Sequence, residues 1–469
     1  MSNLIINELN KIVDKSLISF HVPGHKLGKL YDKLNYAHIV KKIYKMDTTE
    51  IPGTDNLHSP ESIIKNSQER ASEVFKSDKT YYLINGSTCG IQAAIMSLCP
   101  PNSKIIVNRD CHQSVINACI LGDINPIYIN SEIDKDTNIL KGITTDNAKK
   151  VIDENKDAKA IILTYPTYYG MTYDLKSICD YAHENNISVI VDEAHGAHLG
   201  LSNNLPKTAL EQGADIVIQS THKTLPSFTQ SSMMHIQGNR INKNKLESIL
   251  KIIESSSPSY MLMSSLELAV DIYDNHGKEL MENLLYNINK FKNSFKDNKS
   301  IKIYNTDDST KIFISMTNIG LTGYELETIL REEYNIQVEL SNYYGSLLVS
   351  TIGNDSDDFN SLETALNEII IKHKNNKQIE RIDYPNNIPV KKITPREAFY
   401  KEKKSVKIYE SIGKICGEYI IPYPPGISLT SPGEIITKEI IDYILFCKDK
   451  GMSISGLKDS SLGQIQIIE

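Results

Sequence analysis

Between residues 80 and 238 the chain carries seven short apolar runs: "TYYLI", "KIIVN", "NPIYI", "KAIILTYP", "ISVIVDEAH", "ADIVIQSTHK" and "SSMMHIQG". Most are unbroken stretches of Ile, Val, Leu and Tyr rather than alternations of apolar and polar residues. That pattern belongs to strands buried on both faces. Amphipathic helical patterns such as "IQAAIMSLC" and "LKSICDYAHENN" lie between them. Strands alternating with helices specify an α/β unit with a mostly parallel sheet covered on both sides. Ligands of such sheets bind beyond the carboxyl ends of the strands. The polar groups "NGST", "DEAH" and "STHK" sit at such ends, so this fold would gather them on one edge.

The remaining segments divide around that unit. Residues 1–60, with "FHVPGHKLG" and "TEIPGTDNLHSPES", show little periodicity and are expected to form an amino-terminal arm. Residues 61–242 hold the large domain. From 243 the pattern turns helical and then yields "KIFISMTN", "NIQVELSN" and "GSLLVSTIG", a smaller α+β domain over 243–375. A polar linker within 371–392 leads into a carboxyl-terminal α+β segment over 376–469, where "IIPYPPGISLTSPGE" predicts an irregular loop. In a chain of 469 residues, 40% apolar and 23% charged, two or three domains with large cores are expected.

Several function classes are disfavoured. A net charge of −7 with only short basic runs, such as "KNNK" and "KEKK", offers nothing to nucleic acid or a membrane surface. No apolar run approaches the roughly 18 residues of a membrane span. The amino terminus mixes acids with apolar residues and does not read as a signal peptide. Seven cysteines without a CxxC pair argue against a disulfide framework or a zinc knuckle, so the reducing cytoplasm is expected. "DEAH" also occurs in helicase nucleotide sites, but the GxxxxGK[ST] loop those require is absent. Asp192, His195 and His198 could share a metal, yet no HExxH or cysteine partner accompanies them, and no metal is expected.

Three strand ends carry the chemistry. Lys223 follows a buried strand, where a lysine either snorkels at an edge or is desolvated for catalysis. Asp192 ends a strand that is otherwise Ile and Val, so its carboxylate needs solvent or a cationic partner. "NGSTCG" opens a helix; Ser87 and Thr88 there are either caps or part of a phosphate cup facing the positive end of the helix dipole. Pyridoxal 5'-phosphate uses all three: a lysine for its aldehyde, a carboxylate for its pyridine nitrogen and a helix start for its phosphate.

At these residues the sequence resembles the Orn/Lys/Arg decarboxylases of bacteria, in their short Gram-positive form. The likeness runs through "FHVPGHKLG", "IPGTDNLHSPES", "INGSTCGIQAAI", "RDCHQSV", "YPTYYGMTYDL", "VDEAHGAHLG", "QSTHKTLPSFTQSSMMHI" and "PYPPGISLTSPGE". It implies the aspartate-aminotransferase-like fold type I, whose large domain has a mostly parallel seven-stranded sheet. It implies pyridoxal 5'-phosphate as cofactor and a homodimer or higher homo-oligomer. The substrate would be a basic amino acid, ranked arginine, then lysine, then ornithine. By the same resemblance Lys223 carries the cofactor, Asp192 pairs with the ring nitrogen, and His112 stacks on the ring. Ser87, Thr88, Ser220 and His222 flank the phosphate, and His195 lies beside the ring. Without the resemblance His112 reads as a surface or cap histidine. The rival readings are a transamination on the same fold and a non-catalytic relative.

Three residues depart from the family pattern: Gln113 where lysine is common, Cys89 where alanine is common, and Ser428 where proline is usual. None removes a group the chemistry needs. Glu434, in "SPGEII", has two open readings. It could meet the cationic end of the substrate, since a buried cation needs a carboxylate. It could equally complete a capping box with Ser431 ahead of the helix "IITKEIIDYIL".

Overall fold

The computed structural model describes residues 4–373, 378–385, 387–423 and 428–469. Part of the polar linker and residues 424–427 of the Pro/Gly-rich loop lie outside the described residues.

All seven apolar runs form strands: β1 (Lys79–Leu83), β2 (Lys104–Asn108), β3 (Asn125–Ile129), β4 (Ala160–Thr164), β5 (Ser188–Asp192), β6 (Ile216–Gln219) and β7 (Ser232–Ile236). They make one sheet in the order β1-β7-β6-β5-β4-β2-β3. Strands β3, β2, β4, β5 and β6 pair in parallel, and β7 runs antiparallel to both β1 and β6. Because β7 alone is reversed, the carboxyl ends of the other six and the amino end of β7 share one edge. Both faces of the sheet are covered, which explains why the strands tolerate no polar alternation.

Helix α1 (Leu4–Asp14) stands apart, with Ile5, Ile6, Leu9, Ile12 and Val13 all exposed. Helix α2 (Gly86–Leu98) follows β1, and α3 (Gln113–Gly122) follows β2. Helix α4 (Lys243–Ile253), which the sequence assigns to the smaller domain, packs instead on the large one. Its Leu246 and Leu250 join Ile91 and Ile95 of α2 in a common core. Asparagine 242 starts α4 by accepting the Lys245 N–H. Helix α5 (Tyr260–Ser294), 35 residues and about 50 Å long, then runs from the large sheet to the smaller unit. Gly277 in its middle allows a close approach, since a Cβ there would lie 2.4 Å from the Leu201 side chain and displace it.

The smaller unit is an antiparallel sheet in the order Lys302–Tyr304, Lys311–Ser315, Gly345–Val349, Leu340–Asn342. The carboxyl-terminal segment has a three-stranded antiparallel sheet and helix α6 (Lys438–Asp449), sharing a core with Tyr343 and Tyr344 of the smaller unit.

The amino-terminal residues are less of a free arm than their sequence suggests. Ile18–Phe20 pairs in parallel with Ile336–Val338, and Phe20, Leu30 and Tyr31 are buried in the main core. Lys26 of "PGHK" is buried as well, and its Nζ donates to His21 O and Val349 O, 2.8 Å each. Burial draws the pKa of Lys26 down to about 7, against the opposing pull of Glu339 and Asp358. This packing leaves no periodic trace in the sequence, because isolated anchors, not a repeat, hold the segment.

Candidate active site

The shared sheet edge collects side chains from five strand ends. Asp192 closes β5, "STHK" follows β6, "RDCH" follows β2 and "NGST" follows β1. The reversed strand β7 adds Ser232 at its start. Sequence reading missed Ser232, because only the strand order brings it here.

Ser87 Oγ lies 2.7 Å from Ser220 Oγ and donates to Ser232 Oγ at 3.0 Å, so three buried serines from three elements form one cluster. Ser87 stands in the first turn of α2, whose N-cap, Asn85, makes no side-chain cap bond. The first-turn N–H groups there have no acceptor of that kind, and such a helix start suits an anion. Thr88 is exposed beside it. The Thr221 hydroxyl is buried and has no partner among the described residues. His222 donates from Nδ1 to Ser231 O at 2.9 Å, which fixes its ring.

Beside this cluster, Lys223 Nζ lies 3.0 Å from His195 Nε2. Burial lowers the pKa of Lys223, and Asp192 and Glu339 oppose that shift. His195 is driven well below the usual histidine range by burial and then by Lys223, so its ring is neutral. Asp192 is 4% exposed and accepts the Ala194 N–H at 3.1 Å. Burial raises its pKa while the neighbouring charges of His112 and Lys223 pull it back. Acid, lysine and His112 therefore share one electrostatic neighbourhood.

His112 is the N-cap of α3, with Nδ1 accepting from Ser114 N at 3.2 Å. The cap reading of this histidine is thus seen directly. The same contact fixes the ring at the exposed mouth of the edge.

Two supports of His195 have no local sequence signal as functional residues. The ring of Tyr168 lies 4.3 Å from that of His195, and its hydroxyl donates to Glu339 Oε1 at 2.7 Å. Glu339 Oε2 accepts the Val22 N–H, tying the amino-terminal residues to the site. Behind His195, Lys311 pairs with Asp308 at 2.9 Å, both fully buried, and His198 lies 3.2 Å from Asp308. His198 is thereby engaged in this network, and no group of three or more His, Cys, Asp or Glu placed to hold a metal occurs among the described residues.

Glu434 does not cap α6, and its carboxylate meets a partner that neither reading named. The N-cap of α6 is Thr437, not Ser431. The Glu434 carboxylate is 1% exposed and accepts both terminal nitrogens of Arg109, at 2.6 and 2.8 Å. Its charge is therefore met by an arginine of this chain. Arg109, just past β2, also donates to Leu429 O and lies 4.7 Å over the Tyr128 ring. This bidentate pair docks the carboxyl-terminal segment on the large sheet beside His112.

The donor set fits pyridoxal 5'-phosphate. An uncapped helix start, a three-serine cluster and an orphaned Thr221 hydroxyl suit the phosphate, and a buried lysine and carboxylate suit the two ends of the ring chemistry. Fold and edge together define a fold type I pyridoxal-phosphate protein. Two family models match the chain, "Orn/Lys/Arg decarboxylase, major domain" over residues 5–315 and "Orn/Lys/Arg decarboxylase, C-terminal domain" over residues 379–466. The chain belongs to the Orn/Lys/Arg decarboxylase family, whose cofactor is pyridoxal 5'-phosphate. It is 36% identical to an arginine decarboxylase of Bacillus subtilis, over 98% of this chain and 96% of that protein. It is 34% identical to an arginine decarboxylase of Halalkalibacterium halodurans, over 96% and 94%. In structure it is similar to a lysine decarboxylase of Francisella novicida, with a TM-score of 0.77 at 22% identity, covering 95% of this chain and 78% of that one. A pyridoxamine-pyruvate aminotransferase of Mesorhizobium loti shares the fold more distantly, with a TM-score of 0.53 at 14% identity, over 66% and 84%.

Proposed function

We propose that this protein is an arginine decarboxylase, converting arginine to agmatine and carbon dioxide. The observation that carries the reaction type is the single edge holding Lys223, Asp192, His195 and the serine cluster. The near full-length likeness to arginine decarboxylases supports arginine over lysine and ornithine.

Pyridoxal 5'-phosphate, when bound, supplies an aldehyde to capture an amine and a ring that accepts the electron pair left as the α-carboxylate departs. Lys223 would hold it covalently through Nζ. Asp192 would keep a proton on the ring nitrogen, and its burial makes that interaction strong. His112 would cover one ring face. Ser87, Thr88, Ser220, Ser232 and His222 would bind or flank the phosphate. Neutral His195 would hold Nζ in place beside the ring. Lys223 or His112 would be the group that returns a proton to the α-carbon.

Incubating the purified protein separately with arginine, lysine and ornithine, and measuring carbon dioxide and amine, tests the reading. Agmatine should be the major product. Equal or faster turnover of lysine would overturn the substrate assignment, and formation of a keto acid would overturn the reaction type.

Asp192→Asn should keep the fold and lower kcat by about a hundredfold or more, comparable to losing one transition-state hydrogen-bond donor, about 3 kcal/mol. Activity within tenfold of wild type would remove Asp192 from this role.

The working unit is expected to be at least a homodimer, with the active site completed across the interface. Helix α1 turns five large apolar side chains to solvent, an arrangement that another surface would cover. A fully active monomer in sedimentation at assay concentration would refute this. The seven free cysteines accord with the cytoplasm as its compartment, and no helix among the described residues is long and apolar enough to cross a membrane.

A further inference from the structure

The turn that joins β1 to α2 is held from behind by groups outside the cofactor-facing cluster. Glu254, the residue just after α4, is buried, and its carboxylate accepts two consecutive backbone N–H groups. Ile84 N donates to Oε1 and Asn85 N to Oε2, each at 3.2 Å. The Cys89 thiol lies 3.0 Å from the same Oε1 and 3.0 Å from Gly86 O, bridging the carboxylate to the turn from the inside of α2. Two further bonds complete the brace: Asn85 Nδ2 donates to Ile253 O at 3.2 Å, and Gln230 donates to Ile84 O at 2.6 Å. The next two residues are Gly86, with φ 74°, and Ser87, which leads the serine cluster.

The N–H groups of this turn are thus divided. Those of Ile84 and Asn85 are taken by Glu254, while those inside the first turn of α2 have no side-chain cap. A carboxylate bonded to two successive peptide groups fixes the orientation of both planes, and so sets where Gly86 and Ser87 stand. An anion site made of backbone N–H groups works only if those groups already converge, because reorienting them on binding costs affinity. Cys89 adds a third donor to the buried carboxylate.

We propose that Glu254, assisted by Cys89, is a positioning residue that pre-orders the phosphate-binding turn and thereby sets how tightly the phosphate end of the cofactor is held. This rests on the pyridoxal-phosphate reading of the site. Two effects of opposite sign separate it from a simple charge effect. Glu254→Gln removes a negative charge near the phosphate, which favours binding, and removes an acceptor from one backbone N–H, which disorders the turn. The proposal requires the second effect to win.

The test uses the full-length chain stripped of cofactor and titrated with pyridoxal 5'-phosphate and, in parallel, with pyridoxal, which has the aldehyde and ring but no phosphate. Glu254→Gln should raise Kd for pyridoxal phosphate tenfold or more and leave Kd for pyridoxal within twofold. Cys89→Ala should raise the pyridoxal-phosphate Kd about threefold, and Cys89→Ser should restore it, since a hydroxyl donates to the same oxygen. Unchanged or tighter binding of pyridoxal phosphate by Glu254→Gln would overturn the proposal, as would an equal loss for both ligands. Cys89→Ala and Cys89→Ser decide the matter in the same way if Glu254→Gln does not fold. Failure of the wild-type chain to bind pyridoxal phosphate would instead overturn the reading of the site itself.

Discussion

Replacement of Lys223 by alanine is expected to abolish decarboxylation and, with it, the covalent cofactor adduct that borohydride reduces. Lys223 lies within the short helix Thr221–Thr224 that follows β6, on the edge where Asp192 and the serine cluster converge. An ordinary surface lysine is almost fully protonated at neutral pH and is a poor nucleophile. Burial of Lys223 lowers its pKa, and the neutral His195 ring 3.0 Å away holds Nζ in one position. Alanine would remove the group proposed to anchor the cofactor aldehyde and to carry a proton in the reaction. A positioned proton-transfer group alone contributes about 10² to 10⁴ in rate, so the combined loss should reach about 10⁴ or more. The fold should survive, since truncation at this position removes a costly buried amine and leaves the strands untouched. A reduced pyridoxyl group mapped by mass spectrometry to another lysine would refute the assignment. So would substantial turnover by Lys223→Ala.

Glu434→Gln should act on stability rather than on the reaction. The Arg109–Glu434 pair is buried, with side chains 9% and 1% exposed, and is bidentate. Burial works against the Arg109 charge, but Glu434 more than offsets it and holds the guanidinium pKa above its ordinary value. Glutamine leaves that guanidinium buried without a counter-charge. Removing one partner of a buried pair costs about 3–5 kcal/mol, whereas replacing both by apolar residues is often neutral. The melting temperature of Glu434→Gln should therefore fall clearly, and Arg109→Met with Glu434→Met together should recover much of the loss. At a temperature where the variant remains folded, kcat/KM for arginine should stay within tenfold of wild type. A tenfold or larger fall in kcat/KM with an unchanged melting temperature would return Glu434 to the substrate.

Such a result would also measure the difference between local and long-range information in this chain. The seven strands are readable because each is a short, largely apolar run, most of them rich in β-branched or aromatic residues, that suits burial on both faces. Lys223, Asp192 and Ser87 are readable for a related reason, since a polar residue at the end of such a run is placed on the sheet edge by the strand itself. Glu434 carries no comparable constraint. Its spacing from Ser431 imitates a capping box, and the Ser431 N–H does bond its carboxylate at 2.8 Å, but the helix begins later, at Thr437. The place of α4 on the large domain is likewise not legible, because amphipathic periodicity marks a buried face of a helix and not what buries it.

By itself the sequence determined the sheet, the edge on which chemistry gathers, and the lysine, acid and helix start that occupy it, because local pattern dictates each of them. The tertiary structure alone decided which distant groups complete that edge. Ser232 joins Ser87 only because β7 is reversed between β1 and β6. Arg109 meets Glu434 across 325 positions of chain, and Val22 meets Glu339 across 317. A hydrogen bond or ion pair of that separation leaves no periodic trace, since its energy depends on the neighbours that the fold supplies and not on the residues adjacent in the chain.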